Sequence, residues 1–280
     1  MLSSTLIFLI FKWVGLRQLN TFYVIVLNYA SACLFGYLFM SGGLPNWHTL
    51  FSAPWFLGAL ALGLTFILIF YLTALTTQQN GAGIAVIATK MSLIIPVVLA
   101  YFLYNDHFTA LKITGVAMAL VGVYMAVKKK KSNDSPSLLL PFVVFLASGL
   151  IDTSIKYLQH NHLNGNDEIY FVPTLFGIAF VAGSIVLLLR PKKIKPIASR
   201  LWIPAGITLG IVNFFSIHFL VLALRHNGLE SSVVFSINNI GIVLLTTLMG
   251  VLLFSERLSL KNKTGVVLCA VAILVIALSR

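Results

Sequence analysis

The chain has 280 residues, 59% of them hydrophobic and 9% charged, against roughly a quarter charged in an ordinary soluble domain, and so apolar a composition excludes a water-soluble globular protein. Its 19 Lys and Arg against 7 Asp and Glu give a formal charge of +12, but the basic residues stand in short breaks between apolar runs, so the polyanion they meet is the phospholipid headgroup layer and not a nucleic acid. Cys33 and Cys269 both lie inside apolar runs, which leaves neither a disulfide framework nor a thiolate metal site.

A helix crosses about 30 Å of hydrocarbon with about 20 apolar residues, and the chain offers ten runs near that size. In chain order they are Leu2 to Gly15, Thr21 to Met40, Pro54 to Thr76, Ala82 to Tyr104, Ala110 to Val127, Leu138 to Leu158, Glu168 to Leu189, Leu201 to Leu224, Glu230 to Phe254 and Leu260 to Leu278. The first is short and reads as a retained span rather than a signal peptide, because Met1 to Ile10 has no basic segment before it and no small-residue cleavage site. The alternating ten-residue strands of a membrane β-barrel are absent from the pattern. The expected fold is therefore an all-α polytopic membrane protein with ten transmembrane helices.

The break from Lys128 to Pro136, four lysines followed by Ser-Asn-Asp-Ser-Pro, falls near the middle of the chain and divides five runs from five. Polar breaks recur across it. Asn80-Gly81 matches Asn227-Gly228, and Leu62-Gly63 matches Leu209-Gly210, at an offset of 147. Asp106-His107-Phe108-Thr109 and Thr114-Gly115-Val116 match Glu256-Arg257-Leu258-Ser259 and Thr264-Gly265-Val266 at 150, and Lys12-Trp13 matches Lys156-Tyr157 at 144. The domain reading is a first five-helix repeat over 1–127, a basic linker over 128–137 and a second repeat over 138–280. Because each repeat has an odd number of spans, the second enters the bilayer from the opposite side. Inverted repeats of this kind commonly hold a midplane site and work by alternating access.

The two five-helix copies, the acidic turns Leu103-Tyr104-Asn105-Asp106 and Leu253-Phe254-Ser255-Glu256-Arg257-Leu258, and the Thr-Gly-Val opening of the next helix together resemble the EamA-type branch of the drug/metabolite transporter superfamily. The resemblance covers essentially the whole chain. It implies secondary transport of metabolites such as amino acids, other organic anions, sugars or toxic compounds, with no bound cofactor. The first half departs from the family pattern in having Asp106 where Glu is commoner and no Arg after it.

Within the spans, an ionisable group near the membrane centre costs at least about 2.5 kcal/mol on insertion scales, and each one asks for a reason. Lys90 lies nine residues into a 23-residue run, too deep to snorkel easily. It reads as a cation lining a substrate path, the alternative being a structural lysine satisfied by its neighbours. The repeat sets Asn238 and Asn239 opposite Lys90. Adjacent amides point about 100° apart on a helix, so one can face a ligand while the other bonds a neighbouring helix. Asp152 and Lys156 stand one helical turn apart and can pair or answer to a ligand charge. Lys12 is the repeat mate of Lys156 and reads more readily as an interface anchor. Asn213 and His218 in the eighth run, and Tyr71 in the third, complete the candidate substrate-binding set; His218 can carry a proton near neutral pH. Asn28, Tyr29 and Tyr170 are further wall candidates. The small pairs Gly206/Gly210 and Ala59/Gly63 read as close helix packing.

The expected function is a secondary-active transporter, an exporter or exchanger, of a small anionic or zwitterionic metabolite such as an amino acid. Its partners would be that substrate, the lipid bilayer and protons as coupling ion, in a monomer or homodimer of the cell (inner) membrane. No catalytic residue, cofactor or metal is expected. The rival classes are an intramembrane enzyme, which would need clustered acids, a zinc helix or a nucleophile arrangement, and a non-transporting membrane scaffold. Within transporters the rival is efflux of drugs or toxic compounds. Thirteen Lys and Arg flank the breaks after odd-numbered runs against three, Lys112, Arg225 and Arg280, on the other side, which places both termini outside, whereas the family resemblance implies cytoplasmic termini.

Overall fold

A computed structural model describes residues 1–40, 46–92, 94, 95, 99, 110–127, 138–163, 168–189, 200–225, 231–255 and 259–278. These residues form helices and, among themselves, no strand: α1 (Leu2–Leu16), α2 (Thr21–Met40), α3 (Trp47–Phe51), α4 (Phe56–Asn80), α5 (Ala82–Met91), α6 (Ala110–Val127), α7 (Leu139–Asn161), α8 (Glu168–Leu189), α9 (Trp202–Arg225), α10 (Ser231–Phe254) and α11 (Leu260–Leu278). Helices suit such apolar sequence because each satisfies its backbone hydrogen bonds internally. Segments of α2, α4, α8 and α9 are long and apolar enough to cross a membrane. Their outer faces are oily: Leu57 on α4 is 76% exposed and Leu188 on α8 85%, a surface that lipid covers and water would not.

The helices follow the apolar runs with local departures. The five-residue α3 was not anticipated; Asn46 caps it by accepting from the His48 N–H at 3.1 Å. The third run was expected to start at Pro54, yet α4 begins at Phe56, after a turn that buries Trp55. It also runs to Asn80 rather than Thr76, since the Thr76 and Thr77 hydroxyls bond back to the Leu72 and Thr73 carbonyls and need no water. It stops at Gly81, whose φ of 102° a side chain would resist, and α5 starts at the next residue. The basic linker 128–137, the acidic turns around Asp106 and Glu256-Arg257, the Asn227-Gly228 pair and the Tyr104 end of the fourth run lie outside the described residues.

Contacts divide the chain into two units, and the division falls inside α1, α4, α7 and α9, each of which contributes to both. The first unit comprises Met1–Lys12, Leu72–Leu150 and Ser216–Arg280. Its core joins Phe8, most of α5, Ala119, Val144, Phe145, Ile242, Val243, Val266, Cys269, Ala272 and Ile273. Here α6 packs on α11 and α5 on α10. The α6–α11 pair is antiparallel. A Cβ at Gly122 would stand 2.8 Å from the Cys269 Sγ, while one turn further along α6 the Met125 carbonyl accepts from the amide of Asn262, seven residues back along α11, at 3.2 Å.

The second unit comprises Trp13–Tyr71 and Ile151–Phe215, and in it α2 packs on α8. That pair too is antiparallel. Going up α2, Val26 meets Gly183, Cys33 meets Gly177, and Tyr37 shares a 3.1 Å hydroxyl contact with Thr174. On the flanks, the expected small-residue packing is present. A Cβ at Gly210 on α9 would lie 2.5 Å from the Asn28 carbonyl, and one at Gly206 would lie 2.7 Å from Leu27 Cβ, both on α2. One at Gly63 on α4 would lie 2.6 Å from Ile178 on α8, and Ala59 is fully buried.

Candidate functional site

Lys90 occupies the most enclosed helix among those described. Every residue of α5 from Ala82 to Ala88, together with Met91 and Ser92 just after Lys90, is buried, whereas Thr89 and Lys90 are half-buried. Lys90 thus keeps part of its side chain accessible on a helix whose other residues, Thr89 apart, are covered.

What stands opposite Lys90 follows from two fixed points. Gly83 on α5 meets Thr247 on α10, where a Cβ would be 3.4 Å from the threonine hydroxyl. Further along α5, the Lys90 ammonium is within electrostatic reach of the Met1 amino group, and the Met1 thioether would overlap a side chain placed at Gly241. These contacts set α5 beside α10, with the start of α1 near both Lys90 and Gly241. Asn238 lies three residues before Gly241, on a neighbouring face, and is half-buried; Asn239, turned away by one residue, is 7% exposed. The adjacent amides thus divide as their angular separation requires, one toward accessible space and one into packing.

The same region contains a pair that the run-by-run reading missed. Ser4 on α1 and Ser216 on α9 share a hydrogen bond of 2.6 Å. Ser4 carried a legible signal, because Ser148 stands 144 residues later, the offset that relates Lys12 to Lys156. His218, two residues past Ser216, is half-buried with its ring 5.8 Å from that of Phe219. Lys12 is half-buried near the end of α1, one residue after Phe11, whose carbonyl accepts from the Gln78 amide at 3.4 Å.

In the second unit the polar residues are mostly partnered with one another. Asn213 on α9 meets Asn28 on α2 at 3.3 Å, both buried. The Asn28 orientation that satisfies more groups turns its nitrogen to the Leu209 carbonyl and its oxygen to the Tyr29 N–H, each at 3.2 Å. The Tyr29 hydroxyl donates to the Phe66 carbonyl at 3.0 Å, and Thr174 links Tyr37 to the Tyr170 carbonyl. Tyr71 is half-buried, edge-on to Phe22 at 5.6 Å. These contacts make Asn213, Asn28 and Tyr29 fastenings between helices. Asp152 is exposed on α7, while the side chain of Lys156 lies outside the described residues.

The candidate residues divide between the two units. Lys90, Asn238, Asn239, His218 and Lys12 belong to the first unit, and Asp152, Lys156, Asn213 and Tyr71 to the second. Comparison with known proteins adds the following. No family model matches the chain. An uncharacterized protein of Haemophilus influenzae is 28% identical over 261 residues, which is 89% of this chain and 86% of that one. A crystal structure of a protein at 13% sequence identity is similar over 98% of this chain and 94% of its own, with a TM-score of 0.59, and shares the fold.

Proposed function

We propose that this protein is a secondary-active transporter of a small anionic or zwitterionic metabolite, built as two inverted five-helix repeats that cross the inner membrane ten times, and that it is of the EamA type that its sequence resembles. The observation that carries the reading is Lys90, a partly accessible cation on an otherwise enclosed helix that packs against the helix bearing the half-buried Asn238. An ammonium beside an amide holds a carboxylate by a charge-assisted hydrogen bond and leaves the rest of the ligand to donors and acceptors.

The packing supports the repeat. In α2–α8 the contact between Cys33 and Gly177 joins residues 144 apart, and in α6–α11 that between Gly122 and Cys269 joins residues 147 apart. Both separations lie in the range of offsets that relates the polar breaks of the two halves. Where an antiparallel pair meets at residues that are each other's sequence equivalents, a local two-fold axis passes between them. On this reading Lys90 and Asn238, 148 apart, would be the equivalent residues of α5–α10. Such an axis makes a lysine face an amide rather than its own copy, so the site is chemically one-sided and orients its ligand.

Reconstitution tests the reading. Purified protein in liposomes loaded with a mixture of amino and organic acids is expected to show saturable uptake and counterflow of at least one labelled acid. Lys90→Ala is expected to abolish both while the protein remains monodisperse. Uptake that never saturates and shows no counterflow would make the protein a scaffold or channel instead.

A further inference from the structure

Two helices of the second unit that are far apart in sequence lie side by side and point the same way. The Tyr23 ring on α2 stands 5.6 Å from the Trp202 ring on α9. A Cβ at Gly206 would lie 2.7 Å from Leu27 Cβ, and one at Gly210 would lie 2.6 Å from Ser31 Cβ. The pairs 23/202, 27/206 and 31/210 all stand 179 residues apart, so α2 and α9 are parallel and begin at the same end of the unit.

That end carries two arginines. Arg17 stands in the turn before α2, its guanidinium carbon 5.9 Å from the Trp13 ring centroid. Arg200 is exposed in the turn before α9, its carbonyl accepting from the Ile203 N–H at 3.1 Å. Neither 13–24 nor 200–207 contains an Asp or Glu. Ile203 and Ile207 are each 40% exposed and follow Arg200 at intervals of three and four, so a cation and two apolar side chains stack on one face of α9. Tyr23 and Trp202 are half-buried, amphipathic rings of the kind that settles at the headgroup level. Water would suit the guanidiniums and not the isoleucines; an anionic phospholipid offers charge and hydrocarbon in the same order.

We propose that this end of the second unit binds an anionic phospholipid, whose headgroup pairs with Arg17 and Arg200 and whose acyl chain lies along Ile203 and Ile207. Stacking on Trp13 engages the face of the Arg17 guanidinium and leaves its N–H edge to a phosphate. A lipid held there ties α2 to α9, which belong to opposite halves of the chain. The inference needs only a bilayer and is independent of the transport reading.

Brominated lipids test it on the full chain in vesicles, because bromine on an acyl chain quenches tryptophan at contact and Trp13 and Trp202 border the site. When brominated phosphatidylglycerol is titrated against brominated phosphatidylcholine, quenching is expected to show a preference for the anionic lipid of at least roughly fivefold. Arg17→Gln with Arg200→Gln should erase that preference. Lys261→Gln with Lys263→Gln, an equal loss of charge at two exposed lysines of α11, should leave it intact. Arg17→Lys with Arg200→Lys keeps the charge but lacks the paired N–H fork; it should lower the preference at least roughly twofold, and it decides the matter if the glutamine pair is not monodisperse. No preference in the wild type, an equal loss in the α11 pair, or full preference in either arginine pair would overturn the site.

Discussion

Two amides separate the chemistry of the two units. Asn213 in the second is buried against Asn28, so it is enclosed where α9 meets α2. Asn238 in the first is half-buried on α10, which packs against the helix that carries the half-buried Lys90. Both are asparagines in the middle of long apolar helices, and hydropathy treats them alike. The difference teaches that a polar residue in a membrane helix declares its role through accessibility: partnered and enclosed, it fastens helices; accessible beside a charge, it is available to a ligand.

Substitutions can break or sharpen that contrast. The largest effect belongs to the close helix approach on which the second unit depends. Gly210→Val would drive its side chain against the Asn28 carbonyl and Ser31 Cβ, 2.5 and 2.6 Å from the first carbon, and backbone cannot move aside as a side-chain tip can. A loss of about 3 kcal/mol, read as a collapse of the melting temperature in detergent, is expected; Gly177→Ala, which meets only the Cys33 Sγ at 3.2 Å, should cost far less. Next, Lys90→Met should reduce uptake by roughly two orders of magnitude, the loss of about 2.7 kcal/mol of charge-assisted binding, with an unchanged or raised melting temperature. A melting temperature that falls with the uptake would make Lys90 a fastening like Asn213.

Asn213→Leu should do the opposite of Lys90→Met. It is expected to cost about 1 kcal/mol of stability while leaving the apparent KM of counterflow within about twofold, whereas Asn238→Leu should raise that KM and spare the melting curve. Reversal of the two results would invert the assignment of the amides. The smallest effect is expected at Lys12→Ala, which should change uptake less than Lys90→Ala at equal expression. Its side chain sits near the end of α1 and can reach the headgroup layer, so an effect as large as that at Lys90 would show that the depths of the two lysines had been misjudged.

Much of this was legible without coordinates because membrane helices are simple physical objects. A run of about 20 apolar residues has one low-cost conformation in lipid, and the described helices other than α3 fall on apolar runs, with α4 prolonged by back-bonding threonines. The small-residue pairs were legible too, because glycine at four-residue spacing has few uses besides letting a neighbour approach. Missed was the pairing of Ser4 with Ser216, for which the repeat offset from Ser4 to Ser148 was an available signal.

Composition and run length were enough to specify apolar helices suited to a membrane, since these depend on transfer from water to lipid and on local backbone satisfaction alone. Which polar residues fasten and which stay accessible was decided only in the tertiary structure. Burial and partnership depend on neighbours far apart in the chain, and Asn213 finds Asn28 across 185 residues, a meeting that no local pattern encodes.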